Sequence, residues 1–439
     1  MRDRLIAVVF IVLAVPALIL PEISLDKKIS NHKIVFSLKF ILFILPPLLA
    51  ILTIVFNLVS YSSSVKAVNP LFGPILFVLF AVPLSMLLDQ LGFFTLIAAS
   101  ITGRKHSLFI LWILAAAVTA TLNLDTAIVL LTPIYVNIAR TRSLPLFAIA
   151  VQPALLSGIA SLFLPISNVT NLIMTSKFNL SASDFLRHLG IAGLIAIGVG
   201  FVFYLISDRR YTKINGKPID GRVIAIQKGF SKSQDQKHGE DAPEDAPGKI
   251  LRQQIAFPLG IAICLFSAAG FTLIPLIGGQ PWEVALAADI ILMLAVRSIP
   301  WRAIPLRIAL NVVSLGVLAE SLERYVDFRN LLTHTSALGT LQAGVLTGIF
   351  SNLANNLPVT LGITSALGKG QISSVWPVLI GTNIGSLLLP SGSLAIMLWL
   401  ATLKRLDTNI SGITYIKYAW RVVIPTFVIS LTGLALLRA

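Results

Sequence analysis

Ser351-Asn-Leu-Ala-Asn-Asn-Leu-Pro-Val-Thr360 sets three asparagines, two hydroxyls and a proline into a segment, residues 341–367, whose flanks are apolar. The rest of the chain decides what such a stretch can be. Of 439 residues, 56% are hydrophobic and only 12% charged, and the mean hydropathy is +0.88. That composition belongs to a membrane protein of many spans and not to a soluble domain. Polar, helix-breaking sequence at membrane depth is tolerated only where it faces protein or a water-filled cavity. The stretch is therefore read as a binding element.

Apolar runs fit to cross a hydrocarbon core about 30 Å thick follow one another along the chain. They fall at 5–20, 34–59, 71–88, 108–138, 146–174 and 189–206, then at 255–277, 284–299, 308–319, 341–367, 375–403 and 422–437. The first is read as a retained span, since no A-x-A-like cleavage site follows it. Three domains result: a first transmembrane repeat at 1–206, a linker at 207–254 that is basic and then acidic, and a second repeat at 255–439. The linker has no apolar periodicity and is read as solvated.

The two halves resemble one another. Ser161-Leu-Phe-Leu-Pro-Ile-Ser-Asn168 aligns with Ser386-Leu-Leu-Leu-Pro-Ser-Gly-Ser393, and Asn123 falls opposite Asn355. Ser85-Met-Leu-Leu-Asp-Gln-Leu-Gly-Phe-Phe94 aligns loosely with Ala319-Glu-Ser-Leu-Glu-Arg-Tyr-Val-Asp-Phe328. Matching polar interruptions in two halves are the sequence mark of a secondary transporter with its site at the repeat interface. The expected fold is all-α and polytopic: two inverted repeats of about five spans each, with one re-entrant hairpin and one broken helix per repeat. A cytoplasmic linker also places Lys27, Lys28, Lys33, Arg104, Lys105, Arg140, Arg142, Arg297, Arg302, Arg307, Lys404 and Arg405 inside, with Glu320, Glu323 and Asp327 outside. Both termini are then expected outside, in a plasma-membrane protein.

Each hairpin carries its polar cluster where a turn belongs: Asn123, Asp125 and Thr126 in the first, and Asn352, Asn355, Asn356 and Thr360 in the second. Pro165 and Pro390 each remove an amide donor and should unwind the following block. Beside them lie Asn168, Thr170 and Asn171 in one half and Asn383, Ser386, Ser391 and Ser393 in the other. Half-helix N-termini there would aim N–H groups at an anion, while freed carbonyls, amides and hydroxyls could take a small cation. Only Asp125 and Asp289 are carboxylates well inside apolar blocks. Asp125, in a polar turn, is the candidate for proton coupling. Asp289, with no polar company in its span, is read as a structural hydrogen-bonding group.

Other classes are excluded. The net charge of +15 comes without the basic, aromatic-interleaved patch of a nucleic-acid binder. Cys264 is the single cysteine, so neither a disulfide nor a multi-thiolate metal site can form within the chain. The five histidines fall in loops or at span ends without ligand spacing, and no phosphate-cradling loop or nucleophile elbow occurs. No cofactor and no metal are expected.

At Asp125-Thr-Ala-Ile-Val-Leu-Leu-Thr-Pro133, Ile166-Ser-Asn-Val-Thr-Asn-Leu-Ile173, Asn355-Asn-Leu-Pro358 and Gly392-Ser-Leu-Ala-Ile-Met-Leu-Trp-Leu400, the chain resembles the ArsB-type arsenite/antimonite permeases of the ion-transporter superfamily. The resemblance runs from about Phe93 to the end of the chain. It implies proton-coupled efflux of arsenite or antimonite by alternating access, in some members with a soluble ATPase partner. By position, Asp125 matches the acid of the first hairpin, and Asn355 and Asn356 match the paired asparagines of the second. Two departures stand out. Leu124 replaces the asparagine before the aspartate, and the acids expected ahead of the broken-helix prolines are absent from Ser157-Gly158 and Gly381-Thr-Asn383. They support an alternative, a sodium-coupled symporter of a dicarboxylate or inorganic anion. A third reading, of another class, is a membrane subunit whose basic linker docks a soluble protein. Expected partners are the anion or metalloid substrate, a coupling proton or sodium and the bilayer, with a homodimer as the expected assembly.

Overall fold

A computed structural model describes residues 32–93, 107–141, 144–215, 247–301, 304–323, 332, 336–406, 408 and 410–437, together with 6, 9, 10, 13 and 14. Most of the first apolar block, the centre of the linker and the charged positions Lys27, Lys28, Arg104, Lys105, Arg142, Arg302 and Asp327 lie outside these residues.

Among the described residues every regular element is a helix. The first half contains α1 (His32–Val55), α2 (Tyr61–Val68), α3 (Phe72–Gln90), α4 (Ser107–Leu122), α5 (Leu124–Thr141), α6 (Leu146–Ile159), α7 (Val169–Phe178) and α8 (Ala182–Asn215). The second contains α9 (Pro247–Leu273), α10 (Pro281–Val296), α11 (Leu306–Glu323), α12 (Ala337–Ala354), α13 (Asn356–Ala366), α14 (Ile372–Asn383), α15 (Leu394–Arg405) and α16 (Gly412–Leu436). Among the described residues four helical stretches are long and apolar enough to cross a membrane: Tyr61–Gln90, Ala182–Asp208, Ala337–Ala354 and Gly412–Leu436. The linker is helical at both ends, because α8 continues to Asn215 and α9 starts at Pro247.

The helices pack reciprocally. α1 lies on α11 while α3 lies on α10; α5 lies on α15 while α13 lies on α7; α8 and α16 lie side by side. Small residues let the backbones approach, as is common where helices pack in a bilayer. Gly348 meets Gly385, and a Cβ at Gly200 or Gly433 would touch the opposite helix of the α8–α16 pair. Two apolar clusters result. One joins α4, α5, α6, α8, α14, α15 and α16, and the other joins α1, α3, α10 and α11 to α7 and α13. Exposed Leu194, Val202, Leu294 and Val428 are the outward faces that a lipid environment accommodates.

Candidate functional site

Each hairpin turns on one residue. α4 and α5 pack against each other around Asn123, and α12 and α13 around Asn355. Both asparagines have positive φ, 137° and 73°, a region that an L-residue enters at a cost and that asparagine tolerates better than most. Each amide then fixes the neighbouring broken helix. Asn123 Nδ2 donates to the Ile166 carbonyl at 3.4 Å, and Asn355 Nδ2 donates to the Ser391 carbonyl at 3.0 Å. Ile166 and Ser391 each directly follow the proline of their half.

Proline sets the breaks. α6 stops at Ile159, Pro165–Ser167 forms a short 3-10 turn, and α7 restarts at Val169. In the second half α14 stops at Asn383, Pro390–Gly392 forms the matching turn, and α15 restarts at Leu394. The backbone matches as well: Leu164 and Leu389 are extended before the prolines, and Asn168 and Ser393 are extended as the N-caps that follow. Asn168 Oδ1 accepts from the Thr170 N–H at 3.1 Å, whereas Ser393 makes no side-chain cap.

These termini converge. A cavity of about 130 Å³ is lined by Leu124, by Asn168, Val169 and Thr170, by Asn356 and Leu357, and by Ser393, Leu394, Ala395 and Leu398. Its last wall is Arg307, Ile308 and Asn311. Five helices therefore begin here: α5, α7, α11, α13 and α15. A helix start carries roughly half a positive charge and unsatisfied N–H donors, and the Arg307 guanidinium adds a full one. Thr170 Oγ1 and Asn311 Oδ1 are buried at this wall with no hydrogen-bond partner among the described residues. Buried polar atoms are rarely left so. The arrangement suits a small anion or polyhydroxylated solute bearing oxygens on several sides.

The sequence-derived candidates divide into two groups. Asn168, Thr170, Asn356 and Ser393 line the cavity. Behind them, Asn168 Nδ2 donates to Asn383 Oδ1 at 2.6 Å and Asn383 Nδ2 donates to Asn171 Oδ1 at 2.8 Å, so Asn383 bridges both halves. Asn352 donates to the Gly385 carbonyl at 2.7 Å and accepts from the Leu389 N–H at 2.8 Å, while Ser391 Oγ donates to the Asn352 carbonyl. Ser386 bonds the Asn383 carbonyl, and Thr360 bonds the Asn356 carbonyl one turn above the cavity. Asp125 sits in the first turn of α5; its side chain and that of Thr126 lie outside the described residues.

Arg307 and Asn311 were missed. In the sequence Arg307 looks like a loop charge and Asn311 like a lone amide in an apolar block, and only their four-residue spacing on one helix face signals that they act together. For Asp289 the hydrogen bond expected from the sequence is not found: both oxygens are buried without a partner among the described residues. At Gly158 a Cβ would run into the Asn383 carbonyl oxygen, which leaves no room for an acidic side chain at that position.

The citrate transporter family matches residues 4–376. The arsenical pump membrane protein of Escherichia coli (strain K12) is 25% identical over 387 residues, covering 80% of this chain and 83% of that protein. The protein of the same name from Yersinia enterocolitica is 25% identical over 384 residues, with 80% and 83% covered. A putative arsenical pump membrane protein of Bacillus subtilis (strain 168) is 26% identical over 383 residues, with 80% and 84% covered.

Proposed function

The chain belongs to the citrate transporter family, CitMHS, over residues 4–376, and from that premise we propose a secondary active transporter that exports trivalent arsenic or antimony in exchange for protons. The convergence of five helix starts on one cavity carries the reading. At about 130 Å³ the cavity is well below the roughly 300–1,000 Å³ that hold drug-sized ligands. A trigonal hydroxide or its oxyanion fits that size, and the relatives named arsenical pump membrane proteins point the same way.

In this reading Arg307, Asn311, Thr170, Asn356 and Ser393 contact the substrate oxygens, and Asp125, at the start of α5, exchanges the coupling proton. Two inverted repeats would account for the reciprocal packing. Alternating access would carry the hairpins and broken helices past α11, with the termini outside and the linker cytoplasmic. A soluble ATPase at the linker and a homodimer belong to the same proposal.

Everted vesicles provide the test. Arsenite should accumulate under an imposed pH gradient, a protonophore should abolish the accumulation, and Asp125→Asn should cut it at least tenfold. Wild-type accumulation by Asp125→Asn would remove the proton role. The Arg307 fork, which suits a carboxylate, favours a second reading: sodium-coupled symport of a dicarboxylate or inorganic anion. Sodium-dependent succinate or sulfate uptake without arsenite transport would establish that reading in its place.

A further inference from the structure

A second cavity, of about 170 Å³, lies farther along α7, α11 and α13. It is lined by Lys66 and Ala67 of α2, Pro70 and Leu71, Lys177 of α7, Gly316 and Glu320 of α11, and Leu361, Thr364 and Ser365 of α13. Three of these helices, α7, α11 and α13, begin at the central cavity and run on to this one. Thr170 lines the first and Lys177 the second, seven positions on, which is roughly 10 Å along α7.

What separates the cavities is apolar. Leu357 faces the first and Leu361 the second, and both belong to one buried cluster with Ile173, Val312 and Leu315. What lines the second is cationic, since two ammoniums face one carboxylate. Neither lysine has an ion-pair or hydrogen-bond partner among the described residues, although Glu320 lines the same space. An ammonium is a compact point charge with three donors, and the Thr364 and Ser365 hydroxyls lie on the same wall.

We propose that this cavity is a vestibular anion site, where a small carboxylate or oxyanion docks between Lys66 and Lys177 on the far side of the Leu357–Leu361 barrier from the central cavity. The inference rests on the reading of the central cavity as the transport site. Two lysines then stand at one end, Arg307 at the other, and apolar side chains lie between them. An anion is drawn to the rim by long-range attraction and is held centrally by helix starts and Arg307.

Equilibrium binding of labelled arsenite, repeated with sulfate, to the purified full chain in phosphatidylcholine nanodiscs tests the proposal. Wild type should show two classes of site. The Lys66→Gln/Lys177→Gln pair should weaken one class about tenfold, Arg307→Gln should weaken the other, and Lys66→Arg/Lys177→Arg should restore the first. Wild-type binding by the double Gln variant overturns the vestibule, as does the absence of binding of both anions to wild type. If only Arg307→Gln is silent, the central reading fails and the vestibule stands. A parallel series with phosphatidylglycerol separates the two sources of anion. A lysine effect confined to retention of that lipid would make the pair a headgroup contact and overturn the vestibule.

Discussion

The two broken helices have the same backbone and are braced differently. In the first half the loop from Ser161 to Asn168 holds itself: Ser167 Oγ and Asn171 Nδ2 both donate to the Ser161 carbonyl, and Asn171 also reaches the Leu164 carbonyl. In the second half a glycine stands where Ser167 does, because a Cβ at Gly392 would lie 2.1 Å from the Ser386 carbonyl oxygen. That loop is held by Asn352, which belongs to the hairpin and binds both Gly385 and Leu389. Beyond the hairpin asparagine that reaches each of them, the first break is braced mostly by its own side chains and the second mostly by Asn352 of its hairpin. The second hairpin and the second break therefore form one mechanical unit, and a change in either is felt by both.

The largest effect is expected at Asn352→Ala. It strands the Leu389 N–H and deprives Gly385 of its donor, at a cost of about 2–4 kcal/mol for the bonds lost together. Transport should fall more than tenfold and the thermal midpoint of the purified protein should drop. If Asn171→Ala cost more than Asn352→Ala in that melt, the contrast between the two breaks would be wrong. Gly158→Ala should come next. Its new methyl runs into the Asn383 carbonyl, at about 1–3 kcal/mol for overpacking, and a melt indistinguishable from wild type would show that the halves do not touch as described. Asn171→Ala should cost less, about 1–2 kcal/mol, since the Ser161 carbonyl keeps its bond from Ser167 and the Asn383 amide, losing Asn171, keeps its bond to the Leu379 carbonyl.

The smallest effect should come from Ser393→Asn, which gives the second break the cap that Asn168 provides in the first. Stability should move by no more than about 1 kcal/mol, while the larger side chain in the cavity should raise the KM for arsenite several-fold. An unchanged KM would place Ser393 outside the substrate's reach.

Much of this was legible because proline and amides are conspicuous in an apolar chain. Pro165, Pro390, Asn123 and Asn355 announced the breaks and turns, and the alignment around the prolines named the residues that now stand opposite one another. Which amides face the cavity was not legible. Asn168 and Asn171 are three residues apart on one short helix, and only the packed partner decides that one lines the site and the other braces the loop. Arg307 was hidden for a different reason. A charge at the edge of an apolar block reads as a membrane boundary, and nothing local says that the start of α11 adjoins the two hairpins.

The five converging helix starts leave the cavity with a field that acidity cannot erase. Peptide dipoles have no proton to lose, and a guanidinium keeps its own throughout the physiological range. Occupancy of such a site should follow the ionisation of the solute rather than that of its walls. A step in a transport–pH profile that Asp125→Asn removes would belong to the proposed coupling carboxylate, and one that survives the substitution to the arriving molecule or to another carboxylate such as Asp289.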